Sequence, residues 1–349
     1  MLDFNGKYIL VTGSCGTIGS ALIRVLLGGR DYYDVKVIGI DINESGIFLM
    51  SEEFGANDRV QFLVGDVRDR DFLLTAMRGV NIVIHAAALK HVKICELSPF
   101  EAVKTNLYGV QNVIDAAIAN DVEKVIFTSS DKAVNPSSLM GVSKLFGEGL
   151  ISAASRSNRL ATTVFASTRF GNVLGSSGSV VPIFHRQIAK GNNLTLTHRD
   201  MTRFIMGISE AVRLILDSVI LAKGGEVFVT KMPVIRIQDL AEVMIRELTS
   251  EYGFPQGTVD VMEVGMKPGE KLYEELMTDA EAKRAIELDK YFIILPISGK
   301  RELEAVSEYP GVVSNRVSSQ YSSATSPALD AEDLRSFLEK HDLLKRSII

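Results

Sequence analysis

An apolar run followed by three evenly spaced glycines constrains the fold of this chain most strongly. Residues 7–12 have the composition of a buried strand, and Gly13, Gly16 and Gly19 follow before a helical pattern over residues 20–27. Glycines between a strand and a helix permit a tight turn and let a pyrophosphate approach the backbone N–H groups at the helix N-terminus. The spacing therefore predicts a dinucleotide-binding turn, with an ordinary strand-to-helix turn as the alternative.

Apolar runs alternate with helix-compatible segments through the first half of the chain. We predict strands over residues 35–40, 60–64, 80–84 and 122–128, and an amphipathic helix over residues 99–119. Parallel strands that alternate with helices form a sheet covered on both faces, with ligands at the carboxyl ends of the strands. The predicted fold class is α/β, with a Rossmann-like doubly wound parallel sheet and a smaller C-terminal substrate-binding region.

Asp41 ends the second predicted strand, about twenty residues after the glycine turn, where an acidic side chain can bind the adenosine ribose hydroxyls. A carboxylate there would repel a ribose 2′-phosphate, and no arginine adjoins it. The predicted cofactor is therefore NAD rather than NADP. Ala86, Ala87 and Ala88 follow the fourth strand and would let the cofactor approach the backbone, although helix packing explains them as well. We interpret His85 as a core or loop residue.

Residues 128–144 place a chemically active set of side chains at the end of the fifth predicted strand. Two hydroxyls, Asp131 and Lys132 are consecutive, and helical spacing puts Met140 and Lys144 on one face. A thioether is neither an acid nor a base, so Asp131 and Lys132 are the nearest candidates for proton transfer. The alternative is that both residues cap a strand-to-helix turn.

The second half of the chain contains fewer chemical signals. We predict strands over residues 160–168, 194–197 and 226–230, and helices over residues 208–221, 237–249 and 331–344, the last with Asp330 as its N-cap. Glu274, Glu275 and residues 281–284 are interpreted as solvated helix faces. The predicted NAD-binding Rossmann domain is 1–168, completed by part of 205–240, and 169–349 is mainly the substrate region, with an interleaved boundary.

The composition excludes several classes of protein. Cys15 and Cys95 are the only cysteines among 349 residues, too few for a disulfide framework or a multi-cysteine metal site, and they suit a reducing cytoplasm. A net charge of −5 gives no general attraction to nucleic acid or acidic lipid. No apolar run reaches the ~18 residues of a membrane span, and there is no signal-peptide pattern. We expect a soluble cytoplasmic protein without a metal, a nucleic-acid partner or a membrane partner.

Several blocks of the sequence, taken in order, resemble one family. The glycine turn, Asp66-Val67, residues 85–88, Asn106 and the Met140/Lys144 pair resemble an extended short-chain dehydrogenase/reductase, with methionine where tyrosine is usual. The narrower resemblance is to UDP-N-acetylglucosamine 4,6-dehydratases of bacterial polysaccharide pathways, part of which carry this methionine. It rests on the blocks 87–92, 101–106, 130–133, 169–173, 178–182, 201–204 and 268–271.

This resemblance implies a lyase that uses NAD to convert UDP-N-acetylglucosamine to a UDP-4-keto-6-deoxy-N-acetylhexosamine. The steps would be oxidation at C4, elimination of water across C5 and C6, and return of the hydride to C6. Asp131 and Lys132 would jointly deprotonate C5 and protonate the C6 oxygen, Ser130 would bind the C4 oxygen, and Lys144 would hold the nicotinamide ribose. A nucleotide-sugar 4-epimerase and a catalytically silent dinucleotide-binding protein are the alternatives, and the C5 configuration of the product stays open.

The same resemblance implies the binding residues and a homodimer or larger homo-oligomer. The catalytic set is Ser130, Asp131, Lys132, Met140 and Lys144. The expected cofactor contacts are Gly13, Cys15, Gly16, Thr17, Ile18, Gly19, Asp41, Asn43, Asp66, Val67, Ala86, Ala87, Ala88, Lys90, Asn106, Ser129 and Lys144. The expected UDP-sugar contacts are Lys90, His91, Asn172, Ser179, Val180, Arg203, Lys267 and Glu270.

Overall fold

The predicted alternation of strands and helices is present in the structure, a computed structural model that describes residues 4–157, 163–297 and 309–346. The strands are β1 (Tyr8–Thr12), β2 (Lys36–Asp41), β3 (Val60–Val64), β4 (Ile82–His85), β5 (Lys124–Ser130), β6 (Val164–Phe170), β7 (Asn172–Val173), β8 (Leu194–Leu196), β9 (Thr202–Met206), β10 (Val227–Thr230), β11 (Val234–Arg236), β12 (Val261–Glu263), β13 (Glu275–Met277), β14 (Ala285–Leu288), β15 (Tyr291–Ile294), β16 (Val312–Ser314) and β17 (Tyr321–Ser322).

The helices cover the sheet and build the second half. They are α1 (Thr17–Gly28), α2 (Glu44–Phe54), α3 (Arg70–Ala76), α4 (Val92–Leu97), α5 (Pro99–Val103), α6 (Gly109–Ala119), α7 (Leu139–Ser157), α8 (Val180–Ile188), α9 (Ile208–Leu221), α10 (Ile237–Leu248), α11 (Asp279–Ala282) and α12 (Ala331–Lys340). Short 3-10 turns occur at Arg30–Tyr32 and Asp131–Ala133. Asp330 caps α12 as predicted, because its side chain accepts from the N–H groups of Glu332 and Asp333.

One large sheet organises the described part of the chain, with strand order β16-β14-β15-β10-β6-β5-β4-β1-β2-β3. The strands from β3 to β10 in that order are parallel. Three antiparallel strands, β15, β14 and β16, extend the sheet beyond β10. The order reverses between β1 and β4, which is the doubly wound arrangement. The predicted fold class is confirmed.

Both faces of the parallel strands are buried, which explains their continuous apolar runs. Ile9 and Val11 pack into the core cluster that contains the apolar sides of α1 and α9. Leu10 points to the opposite face and packs with residues of α3, α6 and α7. Because successive side chains of a strand alternate between faces, a strand covered by helices on both sides must be apolar throughout.

A second core lies in the C-terminal half. Buried side chains of α8, α10, α12 and β8 form a cluster of their own, which includes Phe184, Leu194, Met244 and Leu338. Smaller sheets accompany it: β11-β9-β7, β12-β8 and β13-β17. The chain returns to the main sheet at β10 and again at β14 to β16, so the two halves alternate along the sequence.

Two predicted elements differ in detail. The helix predicted over 99–119 is divided by a π-helical turn at Lys104–Tyr108, which buries Asn106. Such turns occur often near functional sites. The strand predicted from Leu160 corresponds to β6, and its predicted first residues 160–162 lie outside the described residues.

The predicted solvated faces at Glu274, Glu275 and Glu281 were wrong. Glu274 and Glu275 are 3% and 8% exposed, and the Glu275 carboxylate accepts a 2.8 Å bond from the Asn135 amide. Glu281 accepts two bonds from buried Arg169, of 3.0 and 2.7 Å. The partners of these carboxylates come from distant parts of the chain, so the local sequence resembles an ordinary charged surface.

Candidate active site

A cleft of about 1120 Å³ lies along the ends of β1, β2, β4 and β5. One wall is formed by residues that end or follow these parallel strands, and the other by the segments 171–184, 195–203 and 267–274. In a doubly wound sheet the ligand site is expected at the carboxyl ends of the strands. The cleft occupies that position.

The glycine turn packs closely on itself and against the backbone that follows β4. Gly13 has a φ of +69°, and a Cβ there would lie 2.7 Å from the backbone nitrogen of Ala87. A Cβ on Gly19 would lie 2.2 Å from the Gly13 carbonyl oxygen. No side chain caps the N-terminus of α1. The free N–H groups of that helix therefore suit a pyrophosphate, and the residues present fit a dinucleotide.

Asp41 is fixed at the rim of this wall. Its Oδ2 accepts a 3.0 Å bond from the backbone N–H of Cys15, and its Oδ1 accepts one of 3.0 Å from Asn43. The second bond joins the end of β2 to the start of α2, and the first joins it to the glycine turn. A carboxylate held in this way suits the ribose hydroxyls of an adenosine.

Most of the predicted contacts line the cleft. Those of the cofactor set are Gly13, Gly16, Thr17, Ile18, Gly19, Asp41, Asp66, Val67, Ala86, Ala87, Ala88, Lys90, Ser129 and Lys144. Those of the substrate set are Lys90, His91, Asn172, Ser179, Val180, Arg203, Lys267 and Glu270. Four predicted site residues are absent from the lining, namely Cys15, Asn43, Asn106 and Asp131.

Asn106 has a supporting position in the structure, and its expected cofactor contact stays a prediction. Its Oδ1 accepts from the Leu89 N–H at 2.8 Å, and its Nδ2 donates to the Leu89 carbonyl and to Ser143 Oγ, at 3.0 and 2.9 Å. Both ends of the amide are therefore used within the protein. Asn106 connects the loop after β4 to α7, and through that loop it orders the cleft.

Ser130, Asp131 and Lys132 form a hydrogen-bonded group. Asp131 Oδ1 accepts from Ser130 Oγ at 2.5 Å, from the Lys132 N–H at 2.9 Å and from Lys132 Nζ at 3.0 Å. Asp131 is fully buried, whereas Ser130 and Lys132 line the cleft. Burial lowers the pKa of Lys132, but the charges of Asp131 and Glu274 outweigh this and raise it. Lys132 is thus an ammonium that links a buried carboxylate to the cleft.

Met140 and Lys144 lie on the buried side of α7, as their spacing predicts. Met140 packs with Cys95 and Ala102 and borders the cleft. Lys144 Nζ lies 4.6 Å from the centre of the Phe127 ring, and burial lowers the pKa of Lys144 to about 8. No proton donor or acceptor occurs in the Met140 side chain beyond a weak sulfur acceptor.

Two residues of the cleft differ from expectation. The Arg203 guanidinium donates to the carbonyl oxygens of Thr202, Leu272 and Lys271, at 2.7, 3.3 and 2.8 Å. These contacts give Arg203 a structural role, because they join β9 to residues 271–272, and Arg203 also borders the cleft. Glu274, which the sequence analysis missed as a site residue, borders the cleft as well. No local signal identifies Glu274, because the cations that face it come from other segments.

Comparison with known proteins places this site in a family. The chain matches the family described as polysaccharide biosynthesis protein over residues 9–296. The chain belongs to this family. The predicted resemblance to extended short-chain dehydrogenase/reductases of polysaccharide biosynthesis is confirmed.

Three relatives represent the range of similarity. An uncharacterised membrane protein of Methanocaldococcus jannaschii is 47% identical over 294 residues, covering 84% of this chain and 87% of the relative. An inverting UDP-N-acetylglucosamine 4,6-dehydratase of Campylobacter jejuni is 40% identical over 294 residues, 84% of either chain. A UDP-glucose 4-epimerase of Rickettsia bellii is 35% identical over 345 residues, 99% of either chain.

A solved structure agrees with the fold over the whole length. The X-ray structure of Pen from Bacillus thuringiensis has a TM-score of 0.89 and 41% identity, and the match covers 99% of this chain and 100% of that one. Among the helices of the described residues, none combines the length and the apolar character that crossing a membrane requires.

Proposed function

We propose that this member of the polysaccharide biosynthesis family is an NAD-dependent UDP-N-acetylglucosamine 4,6-dehydratase. The observation that carries the proposal is the Ser130-Asp131-Lys132 group at the wall of a cleft that Met140 also lines. A 4,6-dehydratase needs a base for C5 and an acid for the C6 oxygen, in addition to a group at the C4 oxygen. This group offers a hydroxyl for the C4 oxygen and a carboxylate–ammonium pair for proton transfer, so the reaction needs no phenol.

The cofactor would be held by the glycine turn, Asp41, Ser129 and Lys144. Ser129 Oγ is buried without a hydrogen-bond partner, so it has capacity for a ligand at the end of β5. When bound, NAD would supply a reversible hydride carrier, which accepts the hydride from C4 and returns it to C6. Lys144 would bind the nicotinamide ribose, and its positive charge would favour loss of the C4 hydroxyl proton.

The diphosphate and uridine of the substrate would lie along the second wall. Lys90 and Lys267 present cations to the cleft, and Lys90 Nζ donates to the Ser177 carbonyl at 3.0 Å in the loop before α8. Ser179 Oγ is a further buried hydroxyl without a hydrogen-bond partner. Basic and hydroxyl groups of this kind suit a nucleotide diphosphate.

A nucleotide-sugar 4-epimerase is the second candidate, because the epimerase relative aligns with nearly the whole chain. An epimerase performs only the exchange at C4, so it has no use for an acid–base pair directed at C5 and C6. The two reactions differ in the mass of the product. Dehydration removes one water, whereas epimerisation leaves the mass unchanged.

The deciding experiment incubates the protein with UDP-N-acetylglucosamine and follows the product by mass spectrometry. We expect loss of one water without consumption of added NAD. Asp131→Asn should lower the turnover number by about 10²- to 10⁴-fold, the usual contribution of a general acid or base, while NAD binding survives. Asp115→Asn, at a partly exposed aspartate of α6 outside the cleft lining, is the matched control and should keep turnover.

The remaining outcomes separate the alternatives. An isomer of unchanged mass would establish the epimerase, and NAD binding without conversion of any nucleotide-sugar would establish a silent dinucleotide-binding protein. Normal turnover of Asp131→Asn would remove Asp131 from the reaction. Proton NMR of the fresh product reports the configuration at C5. We further propose that the protein works as a homodimer, for which the surface of α7 provides the argument below.

A further inference from the structure

Glu274 is a buried carboxylate that reaches the cleft beside the Ser130-Asp131-Lys132 group. Its backbone is held on both sides by Ser323, through a 2.9 Å bond from the Glu274 N–H to Ser323 Oγ and one of 2.9 Å from the Ser323 N–H to the Glu274 carbonyl. The side chain is therefore presented from a fixed segment immediately before β13. Glu274 borders the cleft, whereas Asp131 does not.

Three cations and one carboxylate face Glu274. Its Oε1 lies 4.0 Å from Lys132 Nζ and 3.8 Å from Arg203 Nε, and the charges of Lys271 and Asp131 also act on it. These are ion-pair distances but are too long for hydrogen bonds. Glu274 Oε2 has no hydrogen-bond partner among the residues that the structure describes.

Asp131 and Glu274 share an unusual property. Within the described ranges, their Oδ2 and Oε2 are the buried carboxylate oxygens that lack a hydrogen-bond partner. A buried, uncompensated negative oxygen is costly, and a proton removes that cost. The two carboxylates face the same ammonium, Lys132. A proton is therefore most stable on the carboxylate that accepts fewer hydrogen bonds.

The hydrogen bonds identify that member. Asp131 Oδ1 accepts three hydrogen bonds, which suits an ionised carboxylate. The Glu274 carboxylate accepts no hydrogen bond from the residues that the structure describes. Burial, and after it the charge of Asp131, raise the pKa of Glu274, and the three cations offset this only in part. Two carboxylates whose environments differ in this way divide into an acid and a base.

We propose that Glu274 is a further catalytic residue of this cleft, the neutral carboxyl that donates a proton to the leaving oxygen, with Asp131 and Lys132 on the accepting side. The role of Glu274 as proton donor rests on the proposed dehydration. The presence of a proton on Glu274 in the free protein does not depend on that function.

The elimination step balances with this division of roles. The C5–H bond breaks and its electron pair forms the C5–C6 double bond, while the C6–O bond breaks and the oxygen leaves as water with the Glu274 proton. The C5 proton passes by way of Lys132 to Asp131, which Lys132 Nζ contacts at 3.0 Å. Glu274 loses one proton and Asp131 gains one, so the three side chains together carry the same number of protons before and after the step. No electrons are exchanged with them.

The test compares Glu274→Gln with Glu275→Gln. Glu275 is the adjacent residue, it is also buried, and its carboxylate bonds to Asn135 away from the cleft lining, so it is a matched control. Infrared difference spectra recorded above the pH at which an ordinary glutamate ionises should show a protonated carboxyl band in the wild type and in Glu275→Gln, and no such band in Glu274→Gln. Persistence of the band in Glu274→Gln would overturn the proposal, whether or not the protein dehydrates UDP-N-acetylglucosamine.

Kinetics test the donor role. Glu274→Gln should lower kcat for loss of water by about 10²-fold with KM changed by less than about threefold, as expected for a proton donor. The alkaline limb of the wild-type kcat profile should follow the titration of the infrared band, because the active form is lost as pH rises through the raised pKa of Glu274. The part of that limb that follows the infrared band should be absent in Glu274→Gln and unchanged in Glu275→Gln. A Glu274→Gln protein with reduced kcat but the wild-type profile would assign Glu274 a structural role and overturn the donor role.

Discussion

The Nζ of Lys144 donates a 2.8 Å hydrogen bond to the carbonyl oxygen of Thr128. This bond ties the second turn of α7 to the end of β5, the strand that delivers Ser129 and Ser130 to the cleft. The Phe127 ring lies on one side of the ammonium, and the charge of Glu148 also acts on it. The position of Lys144 is therefore fixed, and burial makes its charged form less favourable than it is in water.

The first prediction concerns the pH dependence of NAD binding. Burial lowers the pKa of Lys144 to about 8 from 10.5, so the charged form is lost as pH rises through about 8. A neutral amine is a weaker donor, by ~1 kcal/mol, and we expect the affinity for NAD to fall about fivefold across this range. Lys144→Met should bind NAD more weakly and without the step, as measured by calorimetric titration at several pH values.

Stability should respond to the same group with the opposite trend. Between about pH 8 and 10.5 the unfolded chain still binds the proton that folded Lys144 has released, so the free energy of unfolding contributed by Lys144 rises with pH.

Lys124 is the control for NAD binding, because burial lowers its pKa too and its Nζ donates to the carbonyl oxygens of Val219 and Ala222, outside the cleft lining. A step in NAD affinity that survives in Lys144→Met, or disappears in Lys124→Met, contradicts this assignment.

A second prediction concerns the buried ion pair behind the cleft. Arg169 is 1% exposed and binds Glu148 through two bonds of 2.8 and 2.6 Å, in addition to Glu281. Arg169→Met should lower the free energy of unfolding by about 3–5 kcal/mol, because it leaves two carboxylates buried without their partner. Urea denaturation measures this loss.

The matched control is Arg24, which makes the same two-bond contact with Glu53 at the surface, at 2.6 and 2.7 Å. Water already solvates these groups, so Arg24→Met should cost less than ~1 kcal/mol. Equal losses for the two variants would show that burial does not set the value of the Arg169 pair.

The sequence predicted those parts of the fold whose signals are local. The apolar run of β1, the glycines after it and the acidic residue at the end of β2 lie within one βαβ unit, and each has a steric or electrostatic reason that acts over a few residues. The antiparallel strands β14 to β16 were not predicted. Of these strands β15 pairs with β10, β14 with β15 and β16 with β14. The pairing of β15 with the distant β10 has no local sequence signature.

The candidate site was predicted to a similar extent. The set at 128–144 was evident because one strand and one helix carry it. The position of Asp131 behind the wall, the use of Asn106 as a support and the presence of Glu274 depend on which segments meet in space. Glu274 in particular acquires its character from Lys132 and Arg203, which lie in other segments. A single sequence does not contain that information.

A third prediction compares two glycines with positive φ, one in the glycine turn and one outside it. Gly13 and Gly79 have similar positive φ values, +69° and +72°, but a Cβ on Gly79 would meet open space, whereas one on Gly13 would strike Ala87. Gly79→Ala should cost about 1–2 kcal/mol from strain alone. Gly13→Ala should cost more and should weaken NAD binding at least about tenfold, ~1.4 kcal/mol, because the turn must move. Thermal unfolding and NAD titration measure both effects, and unchanged NAD affinity in Gly13→Ala would exclude this turn from the binding site.

The last prediction concerns the proposed homodimer and rests on the outer face of α7. Leu139, Val142, Leu145 and Phe146 are exposed on that helix at helical spacing, and Leu97, Phe100 and Tyr108 are exposed on the helical segments that pack against it. Apolar side chains this large form a continuous stripe only where a surface is normally covered. Two copies of such an apolar stripe can pack against each other, as a twofold interface requires.

Phe146→Glu should therefore weaken dimerisation by at least about 30-fold, the effect of a hot-spot residue worth ~2 kcal/mol. Phe48→Glu on α2 is the control, since Phe48 and Phe146 are 58% and 56% exposed but lie on different elements. Sedimentation velocity across a dilution series measures the association of the three proteins. A monomeric wild type, or equal dissociation of both variants, would contradict the proposed interface. Because the opposite side of α7 carries Met140 and Lys144, we also expect Phe146→Glu to lower NAD affinity at concentrations where it is monomeric, and this loss should be absent in Phe48→Glu.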